Sequence, residues 1–441
     1  MKSHAPLLAT GAVLAAVAGG LRLAQAWRVP VPSTDGASYL WIAEALARGD
    51  FVAGLDHVFH PGAPLAWAPL IAVGVDAHLA AKLVGVVCGA VAAVFVWLAA
   101  RGISDDRKGL WAALLFAGCF LAVRLPADAY SEAVYLVPAA AAVCFAVRGR
   151  VTAIGLAAGI AFWVRPEALC LVPLVFVRGV RRGTLGVFVL VAVAAVYPLA
   201  RWLFVGELDL TPKADFMASM GPLAAPDVAG VLLGLGHNLL RVPLEAIPAL
   251  DWVVFPLGLA GLLVGQRRQT PLTHQARMPR LVLAALVLGW LAMIPFQVKP
   301  RFFLSQAPLL LPFAPLAFRH ARWLLFAGLA LSLWRTGSDI VRPPRTEKRA
   351  ERVTGEQLAE RGIEQGQLAT DLPRIAYYAG LRPPLPVVWT PLMLTDRLDD
   401  PAVRWVVFGA LHEGRRALLG SRRDFRLLAQ PDRRLLLAER R

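Results

Sequence analysis

Apolar residues come in long runs along this chain, separated by short polar breaks. Eleven helical segments follow from that pattern, at roughly 6–26, 66–100, 109–123, 132–148, 151–164, 167–177, 184–204, 247–265, 280–296, 301–318 and 321–336. Several reach the ~20 apolar residues that a membrane-crossing helix needs. The expected fold class is an α-helical polytopic membrane protein with about eleven transmembrane helices. Two stretches break the pattern. In 31–64, Tyr39, Leu40, Ile42, Ala43, Leu46 and Ala47 recur at helical spacing, with Glu44, Arg48 and Asp50 on the other side. That suits a short helix lying on the interface, with Ser33, Thr34 or Asp35 able to cap its start. Pro61 and Pro64 then bend the approach to the next span. The second stretch, 205–246, is mixed in polarity and rich in Pro and Gly, and reads as an irregular loop with an interfacial helix at about 227–241.

The segment 151–178 has basic residues at both ends and Arg165-Pro166-Glu167 in its middle. A hairpin brings both ends to one side, whereas a single span does not. Each arm is short: 14 helical residues rise about 21 Å against a hydrocarbon core of about 30 Å. The Arg-Pro-Glu tip is therefore expected below the surface, where a charge needs a partner or a wet cavity.

After Trp334 the pattern changes. Residues 341–365 read as a linker with a short helix at 354–364. From 366 to 441 come short apolar pieces (QLATD, RIAYYAGL, PVVWT, VRWVVFGA, FRLLAQ and RRLLLAER). They predict a small α/β unit, near the lower size limit for independent stability. The expected organisation is a membrane domain over 1–340, the linker, and this C-terminal domain.

Composition agrees: 57% of residues are hydrophobic and 17% charged, against about 25% charged in soluble domains. Lys and Arg fall at every second junction, at Lys2, Arg101–Lys108, Arg148–Arg150, Arg178–Arg182, Arg267–Arg280 and Arg319–Arg322. The positive-inside rule places these in the cytoplasm. Loops 27–65, 124–131, 205–246 and 297–300 and the C-terminal domain are then outside, which for a bacterial inner membrane means the periplasm. This arrangement, with anionic lipid as partner, accounts for the net charge of +16. No nucleic-acid motif is present. Cys88, Cys119, Cys144 and Cys170 lie in apolar runs without a CxxC pair, so neither a disulfide framework nor a zinc site is indicated. The first apolar run is longer than a typical signal-peptide core and reads as an uncleaved span.

Acids gather on the outer side. Asp35 begins the interfacial helix and is either a general base or an N-cap. Asp128 and Glu132, in RLPADAYSE, can share a helix face. One of them positions an acceptor, or Ser131 or Asp128 caps the next helix. Arg124 either holds a phosphate or pairs with Asp128. Arg165 holds charge at the hairpin tip, through a contact to Glu167 or to backbone. Asp56, His57 and His60 form a D-H-x-x-H pattern that either binds a divalent cation or packs the loop. Lys213, Lys299 and Arg301 lie on outer loops and either hold a lipid phosphate or snorkel to headgroups. No P-loop, GxSxG or GxGxxG in a βαβ setting occurs.

The order of several motifs resembles one family. DGASYLWIAEALARGDF at 35–51, HPGAPL at 60–65, RLPADAYSE at 124–132, GLAAGIAFWVRPE at 155–167, RFFLSQAPLLLP at 301–312 and ATDLPRIAYYAG at 369–380 resemble GT-C fold glycosyltransferases. The branch is the one with family 39 protein mannosyltransferases and lipid A aminoarabinose transferases. That resemblance implies a sugar donor on a polyprenyl phosphate and a lipid, glycan or protein acceptor. It implies Asp35 as catalytic base or acceptor-positioning carboxylate, and Asp128 or Glu132 as the second acid. The donor phosphate would face Lys213, Lys299, Arg301, Arg165 and Arg124. Many relatives carry two adjacent acids where this chain has Asp35-Gly36, which weakens a metal shared by such a pair. No cofactor is required, and Asp56, His57 and His60 are the remaining place for a divalent cation. A non-catalytic transporter or scaffold of an envelope glycan pathway is the alternative, and the chain has no internal inverted repeat of the kind many transporters show.

Overall fold

A computed structural model describes residues 5–218, 221–268, 274–317, 322–342, 346–381, 396–409, 413–428 and 435–441. The chain divides into two compact units. One comprises Met1–Trp27 and Ala43–Arg342, the other Arg28–Ile42 and Pro343–Arg441.

The first unit is helical. Its elements are α1 (Ala5–Arg28), the end of α2 (Thr34–Ala47), α3 (Phe51–Leu55), α4 (Gly62–Ala72), α5 (Ala77–Ile103), α6 (Asp106–Gly118) and α7 (Phe120–Arg124). Then follow α8 (Glu132–Val147), α9 (Val151–Val164), α10 (Val180–Val205), α11 (Pro212–Ala218), α12 (Val228–Ala249), α13 (Val254–Arg268), α14 (His274–Met293), α15 (Ala307–Leu310) and α16 (Arg322–Val341). Among the described residues, five helices are long and apolar enough to cross a membrane, or seven if each bent pair is one span. The helices α4, α8 and α9 are apolar but shorter. This is the helix content of a multi-pass membrane protein.

Small residues let the helices close up. A Cβ on Gly159 of α9 would meet the Val193 side chain of α10 at 2.7 Å, and one on Gly155 would collide with the Gly186 carbonyl. The hairpin expected at 151–178 forms, but its second arm is a 3₁₀ helix over Pro166–Arg178. At a rise of about 2.0 Å per residue such an arm reaches further than an α-helix of the same length. Pro166 and Pro173 lie in it and suit a path with fewer backbone donors.

Three expected helices are interrupted. The 109–123 segment breaks at Cys119 with a 61° bend. The interfacial helix expected at 227–241 continues to Ala249, and after a 106° turn α13 starts at Val254 instead of 247. The turn passes through Asp251 at φ 70°. The 301–318 segment is not one helix: it runs as 3₁₀ Pro300–Gln306, α15 and 3₁₀ Ala314–Leu316. Pro308, Pro312 and Pro315 each remove a donor inside the segment and work against a continuous α-helix.

The second unit contains the start of α2, α17 (Thr346–Glu360), α18 (Pro373–Tyr378) and α19 (Glu413–Ser421) around a four-stranded sheet. The strands are β1 (Leu368–Thr370), β2 (Trp405–Gly409), β3 (Phe425–Leu427) and β4 (Leu435–Arg440), in the order β1-β2-β4-β3. β1 is parallel to β2, with Ala369 opposite Val406, and the other pairs are antiparallel. Successive side chains of a strand point to opposite faces, and both faces here are apolar. Leu368, Trp405, Val407, Leu435 and Leu437 meet Leu358 of α17 and Ile375 and Ala376 of α18. Ala369, Val406, Phe408, Leu436 and Ala438 meet Leu398, Leu419 and Phe425. Residues 346–360 of the segment read as a linker thus help to close this core.

Candidate active site

The hairpin tip organises the first unit's buried charge. Pro166 disfavours a helical conformation for the residue before it, and Arg165 is extended at φ −155° and ψ 131°. Arg165 is 3% exposed. Nη1 lies 2.7 Å from Glu132 Oε1 and donates to Ser131 Oγ at 3.3 Å. Nη2 donates to Glu167 Oε1 at 2.7 Å. Ser131 precedes α8 and makes no capping hydrogen bond through its side chain, so its hydroxyl serves Arg165 instead. One guanidinium faces two carboxylates. The Glu132 carboxylate is 2% exposed, and its Oε2 has no hydrogen-bond partner among the described residues.

Aromatic rings join a second arginine to this group. The Phe302 ring centre is 5.6 Å from Arg165 Cζ and 5.2 Å from Arg301 Cζ. Arg301 Cζ also stands 4.4 Å from the Tyr130 ring centre, a cation–π distance. Thus RLPADAYSE, the hairpin tip and the 3₁₀ segment at 300–306 converge, although they are far apart in sequence. A cavity of about 410 Å³ is lined by Pro166 and Glu167 of the hairpin tip. Glu167 supplies its charge, and Cys170, Thr211, Met217, Leu288 and Phe296 are among its other walls.

The other expected cations and acids lie as follows. Arg124 Nε is 3.6 Å from Asp128 Oδ2, the internal pair anticipated as one alternative. Asp128 is buried, at 5% exposure. Lys299 is exposed at the start of the 3₁₀ segment. Lys213 is on α11, and its side chain lies outside the described residues.

Asp56, His57 and His60 do not converge. Asp56 is exposed at the end of α3. The His57 ring stacks on Phe59, and its Nδ1 accepts the Phe59 N–H at 3.1 Å. Burial, and next the nearby Arg201, push its pKa down to about 4. His60 is buried, with Nδ1 2.9 Å from the Phe162 carbonyl oxygen. Among the described residues, no group of three or more His, Cys, Asp or Glu side chains is arranged to hold a metal.

Arg201 was not legible in the sequence. It is buried in α10, and its Nη1 donates to the carbonyls of Leu55 (2.8 Å) and His57 (3.1 Å), while Nη2 donates to Glu207 at 2.7 Å. It fastens the loop after α3 to α10. A second buried ionic group was also missed. Asp251 Oδ1 accepts from Arg335 Nη1 at 2.8 Å, and its Oδ2 accepts from Ser332 Oγ at 2.9 Å and from the Phe120 N–H at 3.4 Å.

Asp35 lies in the second unit. The cap of α2 is Ser33: the Gly36 N–H donates to Ser33 Oγ at 2.9 Å, and the Ala37 N–H to the Ser33 carbonyl at 3.0 Å. Asp35 therefore stands inside the first turn, half-buried, where the helix dipole favours an anion.

No family model matches the chain, and no curated protein matches it. Solved structures do. ArnT from Cupriavidus metallidurans bound to undecaprenyl phosphate superposes with a TM-score of 0.63 at 14% identity, over 99% of this chain and 98% of that one. The oligosaccharyltransferase of Archaeoglobus fulgidus, in complex with Zn and sulfate, gives 0.60 at 12% identity over 91% and 68%. The archaeal oligosaccharyltransferase AglB from the same organism, in complex with an inhibitory peptide and a dolichol-phosphate, gives 0.52 at 12% identity over 91% and 69%. The chain has the GT-C fold.

Proposed function

We propose that this protein is an integral-membrane glycosyltransferase. It transfers a sugar from a polyprenyl-phosphate donor to a lipid, glycan or protein acceptor of the cell envelope. The reaction takes place on the outer face of a bacterial inner membrane, with the small unit in the periplasm. The observation that carries this reading is the convergence of Arg165, Arg301 and Glu132 at a hairpin tip whose next residues, Pro166 and Glu167, line a largely apolar cavity of about 410 Å³. An isoprenoid phosphate needs an apolar wall for its chain and cations for its head. The bound undecaprenyl phosphate and dolichol-phosphate of the structural neighbours support the same donor class.

In this reading the acceptor's O–H or N–H gives its proton to Asp35 while the acceptor atom bonds to the anomeric carbon. The bond from that carbon to the phosphate oxygen breaks, and its electrons stay on the phosphate. Arg165, Arg301 and Lys299 stabilise the charge that develops there, and the sugar inverts. Glu132 is favoured over Asp128 as the second acid, because Asp128 faces Arg124 whereas Glu132 retains an oxygen without a hydrogen-bond partner. Zn accompanies one neighbour, but the described residues do not gather into a metal site and no step here runs through one.

The test is reconstitution in liposomes with polyprenyl-phosphate sugars and membrane-extract acceptors, followed by mass spectrometry. Asp35→Asn is expected to abolish transfer while the protein still expresses and folds. Near-normal transfer by that variant would falsify Asp35 as base. Lipid-sugar binding or flux without any glycosidic product from the wild type would favour a transporter instead.

A further inference from the structure

Residues 28–42 fold with residues 343–441, not with the helices that flank them in sequence. A side-chain relay accompanies that union. Arg374, in α18, donates through Nε to Glu351 Oε2 at 2.6 Å and through Nη2 to Glu351 Oε1. Its Nη1 donates to Thr34 Oγ1 at 3.1 Å. Arg374 is 9% exposed and Glu351 7%. A guanidinium held as a fork by one carboxylate has little freedom left, so the direction of its Nη1 arm is fixed.

The relay stands on rigid ground. Glu351 belongs to α17, which packs tightly on α18. A Cβ on Gly355 would meet Tyr378 Cβ at 2.6 Å and the Ile375 carbonyl at 2.8 Å. Leu358, Ile375 and Ala376 are packed into the face of the sheet. At the other end, Thr34 is the first residue of α2 and Asp35 the second. Ser33 fixes the backbone of that turn, and Arg374 fixes the Thr34 side chain.

We propose that Arg374 is a positioning residue for the transfer reaction: held by Glu351, it docks Thr34 and so sets the first turn of α2, which carries Asp35. This rests on the reading of Asp35 as the acceptor-side base. Arg374 then acts on turnover through the position of the Asp35 carboxylate rather than through its own contact with the reacting atoms.

Two measurements on the full-length protein in nanodiscs test it. The first is hydrogen–deuterium exchange of peptides covering 28–42. Thr34→Val, which removes only the accepting hydroxyl, and Arg374→Met are both expected to speed exchange there, while peptides from β2 and β4 keep wild-type protection in Thr34→Val. The second is kinetics with a polyprenyl-phosphate sugar. Thr34→Val is expected to lower kcat about tenfold or more, the scale of a sub-ångström misplacement, with KM for the donor unchanged. Thr34→Ser, which keeps the hydroxyl, should recover most of that loss. Unchanged exchange over 28–42 in Thr34→Val overturns the proposal, and so does an unchanged kcat. Should Arg374→Met fail to fold, Thr34→Val decides alone. If the wild type transfers no sugar, the proposed function falls and positioning for transfer falls with it. The exchange arm then still reports whether the relay holds the turn.

Discussion

Two buried ionic groups in the helical unit look alike in composition and differ in what they leave over. Around Asp251, one carboxylate meets one guanidinium, a hydroxyl and a backbone N–H, so both of its oxygens are engaged and the formal charges cancel. The group ties the turn between α12 and α13 to α16 and to the break between α6 and α7. Around Arg165, one guanidinium meets two carboxylates, and an oxygen of Glu132 keeps no hydrogen-bond partner among the described residues. Glu167 of this group also lines the cavity. A saturated, neutral group in a low-dielectric interior holds a bend in place. A buried carboxylate with an unused acceptor oxygen is costly unless something else completes it. In the function proposed above, the second arrangement is the one that meets the polar substrate, and the first is the one that holds a bend.

That contrast can be broken in either direction. The largest effect on stability is expected for Arg335→Met, which leaves Asp251 buried with only its hydroxyl and N–H donors. A loss of about 3 kcal/mol is expected, at the low end for orphaning a buried charge, measured as a lower Tm in detergent. Its sugar transfer per folded molecule should stay near wild type. Glu132→Gln should do the opposite. Arg165 keeps Glu167, so Tm moves little, while transfer falls on the order of 10²-fold, the scale of losing one preorganised electrostatic group. Equal effects of the two variants on Tm would erase the distinction. The smallest effect concerns the loop that Arg201 fastens. His57 titrates near 4 when folded, against an ordinary value near 6.5. The opened loop therefore binds the proton first as pH falls through that interval, and the stabilisation present above about 6.5 is lost toward 4. Exchange protection of residues 51–60 should decline over that window, and His57→Gln should flatten the decline. A wild-type profile level from pH 7 to 4 would remove this account of the loop.

Much of the fold was open to reading because hydrocarbon-length apolar runs and basic junctions are local properties. The hairpin at 151–178 was among these: two short arms and like-charged ends leave few other paths. The interrupted elements were less open. The prolines of 300–315 are visible, but whether they kink one helix or divide it depends on the neighbours that accept the freed backbone groups. The turn at Asp251 depends on Arg335 and Ser332, eighty-odd residues later in the chain. Arg201 was not singled out in its apolar helix, since two of its partners are carbonyl oxygens of a segment 144 to 146 positions earlier.

For the opening loop the division is similarly clear. The sequence alone determined that an acid stands at the start of a helix after the first span, because composition and helical periodicity are set residue by residue. It left Ser33, Thr34 and Asp35 as equal candidates for the cap. Only the tertiary structure decided among them: Ser33 takes the backbone N–H of Gly36, Thr34 takes Arg374, and Asp35 follows inside the first turn. Hydrogen-bond direction and a partner 340 positions away made that choice, and neither is a property of the local pattern.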